Sequence, residues 1–237
     1  MKRAIVIGAT SGLGREIAMN LVREGWVVGV AGRRVELLDG FDVYERIDVT
    51  TEDAEEGVER LVEKLGGVDL FVNVAGVGFQ NPTLDPKVEK HTFDVNGYGF
   101  MRMVDWAYNY FKRDDREGQI AIVSSIAGTK PLGTAAAYSA TKRMQSHYLT
   151  GLAQLARMEG LKIRFTDVRP GFAATDILNP NKHYPMMMSK EYAGRLATKA
   201  ILKKKRVAII DWKFAILTLF WSLIPRCIWE RLTFVKN

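Results

Sequence analysis

The chain contains very little cysteine: Cys227 is the only one among 237 residues. A single thiol cannot form an intramolecular disulfide, which excludes the disulfide-rich secreted scaffolds and favours a reducing compartment. Histidine is almost as scarce, at 3 residues, and no group of His, Cys, Asp and Glu has the spacing of a metal site. We therefore interpret Cys227, which stands among Ile, Trp and Arg residues, as structural or lipid-facing rather than as a nucleophile.

Long hydrophobic runs are also absent. No stretch reaches the roughly 18 uninterrupted apolar residues of a membrane-spanning helix. The apolar run after Arg3 is too short for a signal peptide and indicates a strand instead. We expect a cytoplasmic protein, with peripheral contact at the cytoplasmic membrane face as the alternative that the sequence leaves open.

The excess positive charge is confined to one end of the chain. The formal net charge is +7. From Lys199 onward, nine Lys and Arg residues stand against two acids, so residues 1–198 are neutral overall. A nucleic-acid-binding domain carries a basic patch on its folded surface. The distribution therefore argues against nucleic acid as a partner of the main domain.

Short β-branched runs alternate with amphipathic helical segments along most of the chain. This order predicts an α/β fold: a doubly wound parallel sheet (Rossmann-like) of about seven strands with helices on both faces, in one domain at residues 1–210. An apolar, basic tail follows at 211–237. The predicted strands are 3–8, 26–31, one within 41–49, 68–75, 119–125, 162–169 and 207–210, and the predicted helices are 12–24, 51–65, 86–111, 135–158 and 189–202.

A glycine-rich loop, 8–14, joins the first predicted strand to the first helix. Glycines there let the backbone turn tightly and let a pyrophosphate approach the free N–H groups of the helix N-terminus. The spacing G-x-x-x-G-x-G differs from the common G-x-G-x-x-G, and a purely structural loop is the alternative. The position between a strand and an amphipathic helix favours nucleotide binding by Gly8, Thr10, Ser11, Gly12, Leu13 and Gly14.

Two arginines, Arg33 and Arg34, follow the second predicted strand. An acid near this position binds the ribose hydroxyls of NAD, whereas an arginine pairs with the 2′-phosphate of NADP. Ala31 and Gly32 supply no acid. We therefore expect NADP(H), with Arg33 as the stronger candidate, and two solvated surface arginines are the alternative.

Tyr138 and Lys142 stand one helical turn apart near the start of a predicted long helix. A lysine cation at that distance favours the phenolate and lowers the tyrosine pKa from about 10, which makes the tyrosine an acid/base near neutrality. Ser125 ends the fifth predicted strand, where a hydroxyl is placed to hold a substrate carbonyl. Asn96 is an unusual polar residue in the middle of the preceding helix. The Y-x-x-x-K spacing alone is common by chance.

Seven motifs in order resemble those of the short-chain dehydrogenase/reductase family over residues 1–210. They are IGATSGLG (7–14), DV (48–49), NVAG (73–76), VNG (95–97), VSSIAG (123–128), YSATK (138–142) and RPGFAAT (169–175). The resemblance implies an oxidoreductase that acts on CH–OH and C=O groups by hydride transfer, commonly as a homodimer or homotetramer. Ile7 and Val74 depart from the family pattern, which has a threonine and a second asparagine there, so we expect altered local hydrogen bonding without loss of activity.

The resemblance also implies a role for each matching residue. Tyr138 would protonate the carbonyl oxygen, Ser125 would orient and polarise that carbonyl, and Lys142 would bind the nicotinamide ribose and tune Tyr138. Asn96 would hold a water in a proton relay behind Lys142. The other cofactor contacts would be Asp48 and Val49 beside the adenine, Asn73, Ala75 and Gly76 along the channel, and Pro170, Gly171 and Thr175 at the nicotinamide.

The region 178–188 covers the substrate in similar enzymes. Tyr184, Met186, Met187 and Met188 lie in it and offer an apolar surface for an acyl chain or another apolar substrate. Ordinary core packing of these residues is the alternative.

The tail carries an apolar run at 214–224 and three of the five tryptophans. This composition suits an interfacial helix on an anionic membrane, and a helix packed on the domain or on a partner subunit is the alternative. In the first case the substrate is a lipid-like ketone, such as a 3-keto sphingoid base or a 3-oxoacyl chain. In the second it is a small alcohol or sugar handled by a soluble oligomer. A non-catalytic NADP-binding interaction protein is a further alternative.

Overall fold

The computed structural model describes residues 1–113, 116–175 and 184–233. Seven strands lie within these residues: β1 (Arg3–Ile7), β2 (Val27–Gly32), β3 (Val43–Arg46), β4 (Leu70–Asn73), β5 (Gly118–Val123), β6 (Ile163–Pro170) and β7 (Val207–Ile210). They form one sheet in the order β3-β2-β1-β4-β5-β6-β7, and all neighbours are parallel. This arrangement confirms the predicted doubly wound sheet.

Eight α-helices occur in the same described residues. They are α1 (Gly12–Arg23), α2 (Ala54–Leu65), α3 (Pro86–Phe93), α4 (Phe100–Arg113), α5 (Ala136–Met158), α6 (Lys190–Leu202), α7 (Trp212–Ser222) and α8 (Arg226–Trp229). Local capping sets several of these boundaries. Ser189 caps α6, because its hydroxyl accepts a hydrogen bond from the Tyr192 N–H at 3.2 Å. Gly66, which adopts the left-handed conformation with φ 72, caps the C-terminal end of α2.

Each face of the sheet carries its own hydrophobic core, because side chains alternate along a strand. Ile5 and Ile7 of β1 belong to the core that includes side chains of α2, α4 and α5. Ala4 and Val6 belong to the core that includes side chains of α1 and α6. The sheet is therefore covered on both faces, as its apolar strands predict.

The strand order opens a crevice between the ends of β1 and β4. The chain leaves β1 towards β2 and β3, then returns to β4 on the other side of β1. Open α/β sheets bind their ligands at such a reversal, outside the carboxyl ends of the strands. The glycine-rich loop follows β1 and the 74–77 loop follows β4, so both border this crevice.

The long helix predicted at 86–111 is interrupted in the structure. A π-helical segment, Asp94–Gly99, separates α3 from α4, and the Phe100 N–H donates to the Val95 carbonyl five residues earlier. Gly99 packs closely on the loop after β3, where a Cβ would lie 2.8 Å from the Val49 carbonyl oxygen. A hydrophobic pattern cannot reveal this tertiary contact. The segment holds Asn96 with no exposed surface.

The tail packs on the domain with one side of α7. Phe214 is fully buried, and the Trp221 indole N–H donates to Thr129 Oγ1 at 2.9 Å. In α8, the Trp229 indole N–H donates to the Pro131 carbonyl at 2.9 Å. Both indole groups bond to residues of the loop that follows β5, so α7 and α8 pack beside that loop.

The other side of α7 is exposed. Its exposed apolar side chains are Trp212, Ile216, Leu219 and Phe220, and Leu223, directly after the helix, is exposed as well. Cys227, on α8, is also exposed. No helix in the described part of the chain combines the length and the apolar character needed to cross a membrane.

Candidate active site

One cleft at the carboxyl edge of the sheet gathers most of the predicted site residues. It runs from the loop after β1 to the first turns of α5. The predicted residues that line it are Gly8, Thr10, Ser11, Gly12, Leu13, Gly14, Arg33, Arg34, Asp48, Val49, Ala75, Gly76, Ser125, Tyr138, Lys142, Pro170, Gly171 and Thr175. The fold thus brings motifs from widely separated parts of the chain into one site.

Two glycines of the loop after β1 stand where no larger residue fits. Gly8 has φ +90, and a Cβ on it would lie 2.6 Å from the Ala75 backbone nitrogen. A Cβ on Gly14 would collide with the Gly8 carbonyl oxygen. The loop leads directly into α1, whose first-turn N–H groups have no partner within the helix. This compact cradle fits the pyrophosphate of a dinucleotide.

Arg33 and Arg34 line the part of the cleft that follows β2. The Arg34 guanidinium donates to Ser11 Oγ at 3.2 Å and to Thr10 Oγ1 at 3.4 Å, which ties this arginine to the glycine-rich loop. Both arginines are exposed. Two exposed cations beside the glycine-rich loop suit a phosphate group.

Asp48 is held as a carboxylate at the same part of the cleft. Its Oδ1 accepts from the Thr50 N–H at 3.0 Å and from the Thr50 hydroxyl at 2.7 Å. Burial disfavours the charged form, but the Thr50 hydrogen bonds and the Arg33 cation outweigh burial and lower the pKa of Asp48. A fixed negative group therefore lies near Arg33.

Tyr138 lies in the first turn of α5, and its hydroxyl is hydrogen-bonded to Ser125, which follows β5. Burial raises the pKa of Tyr138, and the Ser125 hydrogen bond lowers it only in part. This direction is opposite to the sequence prediction, in which Lys142 lowers the tyrosine pKa. The reason is that burial dominates, while the Lys142 nitrogen stands 5.8 Å from the centre of the Tyr138 ring. The phenol is therefore protonated at neutral pH.

The ammonium group of Lys142 is buried and has two neutral acceptors. It donates to the Val123 carbonyl at 3.0 Å and to Gln145 Oε1 at 3.1 Å. Burial lowers the pKa of Lys142 to about 8, although the buried carboxylate of Asp167 raises it. At neutral pH the side chain is mostly a cation.

Asn96 lies behind the cleft and is not among the described residues that line it. Its Oδ1 accepts from the Val77 N–H at 2.8 Å, and its Nδ2 donates to the Val77 carbonyl at 2.7 Å. Its own carbonyl accepts from Gln145 Nε2 at 2.9 Å. Asn96 therefore braces the loop after β4 against α5, and its role in a proton relay stays a prediction.

Asn73 is buried at the end of β4 and is likewise not among the described lining residues. Its Oδ1 accepts from the Ala75 N–H at 3.2 Å, so it shapes the loop beside the cleft. Ile7 packs in the core, and its carbonyl accepts from the Val74 N–H at 2.9 Å. Ile7 and Val74 are the two positions that depart from the family motifs. There, a backbone hydrogen bond joins β1 to the loop after β4.

The four predicted substrate residues are not among the described residues that line the cleft. Tyr184 and Met188 are buried, and Met188 belongs to the core with α1 and α6. Met186 and Met187 are exposed. The first part of the predicted cover, 178–183, lies outside the described residues. The substrate role of the four residues stays a prediction.

Three buried polar residues were not identified from the sequence: Ser124, which lines the cleft, and Gln145 and Asp167, which do not. Ser124 Oγ donates to Asp167 Oδ1, and Arg169 pairs with the same carboxylate. Gln145 had a signal that was overlooked. It follows Lys142 by three residues and shares its helix face, where an apolar residue is usual in a buried position.

Comparisons with known proteins identify the family of this chain. A family model described as short chain dehydrogenase matches residues 2–184. An uncharacterized oxidoreductase of Myxococcus xanthus is 30% identical over 97% of this chain and 95% of that protein. A farnesol dehydrogenase of Aedes aegypti is 30% identical over 75% of this chain and 79% of that protein.

Among solved structures, a short chain dehydrogenase from Burkholderia cenocepacia in complex with NADP superposes with a TM-score of 0.83 at 22% identity. The match covers 98% of this chain and 99% of the other, and it shows a common fold. The family model covers more than half of the chain. The chain therefore belongs to the short-chain dehydrogenase/reductase family and is an oxidoreductase that acts on CH–OH and C=O groups.

Proposed function

We propose that this protein reduces a ketone to a secondary alcohol with NADPH as the reductant. The observation that carries the proposal is a single cleft in which a phosphate-binding loop and two arginines lead to Ser125, Tyr138 and Lys142. The cleft thus combines a cradle for a dinucleotide with a proton donor for a carbonyl oxygen.

The protein's part in the reaction is to hold the carbonyl and to deliver a proton. Bound NADPH supplies the hydride to the carbonyl carbon. Ser125 donates a hydrogen bond to the carbonyl oxygen, and Tyr138 transfers its phenolic proton to that oxygen as negative charge develops there. The Lys142 cation stabilises the tyrosinate that remains. Burial, which raises the pKa of Tyr138, keeps the proton on the phenol until the carbonyl oxygen is charged.

Tyr138→Phe tests this assignment. We expect turnover to fall by at least about a hundredfold, because general acid catalysis is lost. The Kd for NADPH, measured by quenching of protein fluorescence, should stay near the wild-type value. Tyr98→Phe is the matched control, since Tyr98 is 61% exposed and should retain full turnover. Near wild-type turnover of Tyr138→Phe would refute the mechanism.

The preference for NADPH over NADH is proposed from Arg33 and Arg34, which line the cleft beside the glycine-rich loop. The Burkholderia cenocepacia neighbour was solved with NADP, which supports the same cofactor here. Arg33→Ala should raise the Kd for NADPH by about tenfold, the loss of one charge-assisted contact, and leave the Kd for NADH unchanged. Arg23→Ala, exposed at the end of α1, is the control. An equal effect of Arg33→Ala on both cofactors would contradict the proposal.

The proposed substrate is an apolar or lipid-like ketone, such as a 3-keto sphingoid base or a 3-oxoacyl chain. Support comes from an aromatic cluster beside the cleft. The Phe172 ring lies 5.1 Å from that of Tyr184 and 6.1 Å from that of Phe214. The Aedes aegypti relative is named for farnesol, which is an apolar alcohol. Long-chain ketones should show a higher kcat/KM than short polar ketones and sugars. The reverse order would favour a small alcohol or sugar as the substrate.

We further propose that the tail, 211–237, brings the cytoplasmic enzyme to an anionic membrane surface. The exposed side of α7 carries Leu219 and Phe220, and the nearby cations Lys213 and Arg226 are exposed. Wild-type protein should float with vesicles that contain phosphatidylserine, and the double variant Leu219→Glu, Phe220→Glu should not. Met158→Glu, at another exposed apolar position, should float like the wild type.

The oligomeric state is measured alongside flotation. We expect a homodimer or homotetramer, as is common in this family. Unchanged flotation of the double variant, together with its dissociation into monomers by light scattering, would show that the exposed side of α7 joins subunits instead of contacting lipid. Retention of the oligomer and loss of flotation would support the membrane contact.

A further inference from the structure

The side chain of Gln145 connects two parts of the active site. It lies on α5 and is 1% exposed. Its Oε1 accepts from Lys142 Nζ at 3.1 Å, and its Nε2 donates to the Asn96 carbonyl at 2.9 Å. One carboxamide therefore spans the distance between a buried cation and the π-helical segment between α3 and α4.

The resemblance predicts that Asn96 holds a water behind Lys142, and the backbone carbonyl of Asn96 faces Gln145. In this chain that carbonyl already accepts a hydrogen bond from a side chain. A carboxamide holds an ammonium group through its oxygen, but it is not ionisable at neutral pH and does not relay a proton. The contact made by Gln145 is therefore a structural link rather than a proton path.

The space around the ammonium group is closed on a second side by Gly76. A Cβ on Gly76 would lie 3.1 Å from Asn96 Oδ1 and 3.4 Å from Lys142 Nζ. The loop after β4 thus packs directly against the same two residues that Gln145 joins. With the Val123 carbonyl as its other acceptor, the Lys142 ammonium group has little freedom to move.

We propose that Gln145 is a positioning residue that fixes the Lys142 ammonium group beside Tyr138 through a direct side-chain link to the Asn96 carbonyl. The inference rests on the proposed roles of Tyr138 and Lys142. Gln145 touches neither substrate nor cofactor in this scheme, and it acts only through the lysine.

The charges that face Lys142 determine what a change at Gln145 should do. Tyr138 stands on the same helix, and Asp167 of β6 acts on the ammonium group through space. Asp167 is itself paired with Arg169. Gln145 Oε1 is a direct, neutral acceptor, so its removal should disfavour the charged form of the lysine, and a carboxylate in its place should favour that form.

Two variants test the inference in opposite directions. The titration midpoint of Lys142 is measured by carbon NMR of isotope-labelled lysine side chains, without cofactor or ketone. Gln145→Met should move the midpoint down by about one pH unit, and Gln145→Glu should move it up by about one unit. In kinetic assays Gln145→Met should lower kcat more than it changes the KM for the ketone, because the lysine no longer supports Tyr138 in a fixed place.

Gln119→Met is the matched control. Gln119 is buried on β5, and its Nε2 donates to Thr166 Oγ1 and to the Ile201 carbonyl, both at 2.9 Å. This variant also loses buried hydrogen bonds, so its stability should fall in a similar way while the Lys142 midpoint stays at the wild-type value. A general loss of packing would affect both glutamine variants alike.

The outcomes separate the inference from the proposed function. Opposite shifts in Gln145→Met and Gln145→Glu, with none in Gln119→Met, support the positioning role. If the wild-type protein reduces ketones but the Lys142 midpoint is unshifted in both Gln145 variants, the positioning role is overturned, even where the variants lose activity. If Gln145→Glu does not fold, an unshifted midpoint in Gln145→Met is enough to overturn it. Shifted midpoints in a protein without ketone reductase activity refute the proposed function alone.

Discussion

Phe214 is the most deeply buried residue in the described part of the tail. Removing its ring tests whether α7 is part of the folded domain. The residue has no exposed surface. Its ring covers Gly171, where a Cβ would collide with it, and it meets the Phe172 ring edge-on at 6.1 Å. Replacement of a buried phenylalanine by alanine costs about 3 to 5 kcal/mol. Because α7 packs by one side only and can settle into the space, we expect Phe214→Ala to cost about 3 kcal/mol.

The assay is urea unfolding of the full chain, followed by circular dichroism, with the free energy of unfolding compared between variants. Trp212→Ala is the control on the same helix, since Trp212 is 64% exposed and should change the free energy by less than about 0.5 kcal/mol. Because Gly171 lines the cleft, Phe214→Ala should also weaken NADPH binding. Equal free energies for the two variants would refute the reasoning and would make the tail an independent segment.

The other predictions concern the loop, the lysine and an indole contact. Gly14→Ala should raise the Kd for NADPH by more than about tenfold, because its Cβ would collide with the Gly8 carbonyl oxygen and displace the phosphate cradle; unchanged binding would contradict this. Burial lowers the pKa of Lys142 from 10.5 to about 8, so the unfolded chain binds more protons between those values, and stability should rise with pH across that window relative to Lys142→Met. A flat difference in unfolding free energy would count against the burial of the cation. Trp221→Phe should lower the free energy of unfolding by about 1 kcal/mol, because the hydrogen bond to Thr129 is lost. An unchanged free energy of unfolding would show that this hydrogen bond does not stabilise the fold.

The strands of the sheet could be predicted because short apolar runs in the sequence mark most of them. The run at 207–210 is observed as β7, and Ser189 caps α6 as its position suggests. The break in the helix predicted at 86–111 was not predictable, because it coincides with the close packing of Gly99 on the loop after β3. The apolar spacing on either side of the π-helical segment stays compatible with a continuous helix.

Motif spacing predicted which residues meet in the cleft better than it predicted their electrostatics. Tyr138 and Lys142 lie together at the cleft, as one helical turn requires. The direction of the Tyr138 pKa shift was wrong, because burial depends on what the rest of the fold packs around the phenol. Gln145 shares a helix face with Lys142, which the sequence shows, but its second partner, the Asn96 carbonyl, meets it only in three dimensions.

The tail left two interpretations open because α7 is apolar on every side, so no polar stripe marks the surface that faces solvent. Two specific contacts determine which side of α7 faces the domain: Phe214 covers Gly171, and Trp221 donates a hydrogen bond to Thr129. The inner side of α7 therefore packs on the domain, whereas Leu219 and Phe220 on its outer side are exposed. The inner side touches Gly171, which lines the cleft, so the outer side of α7 is separated from the cleft by the width of one helix. This arrangement is the reason that we connect the proposed membrane contact with a lipid-like ketone.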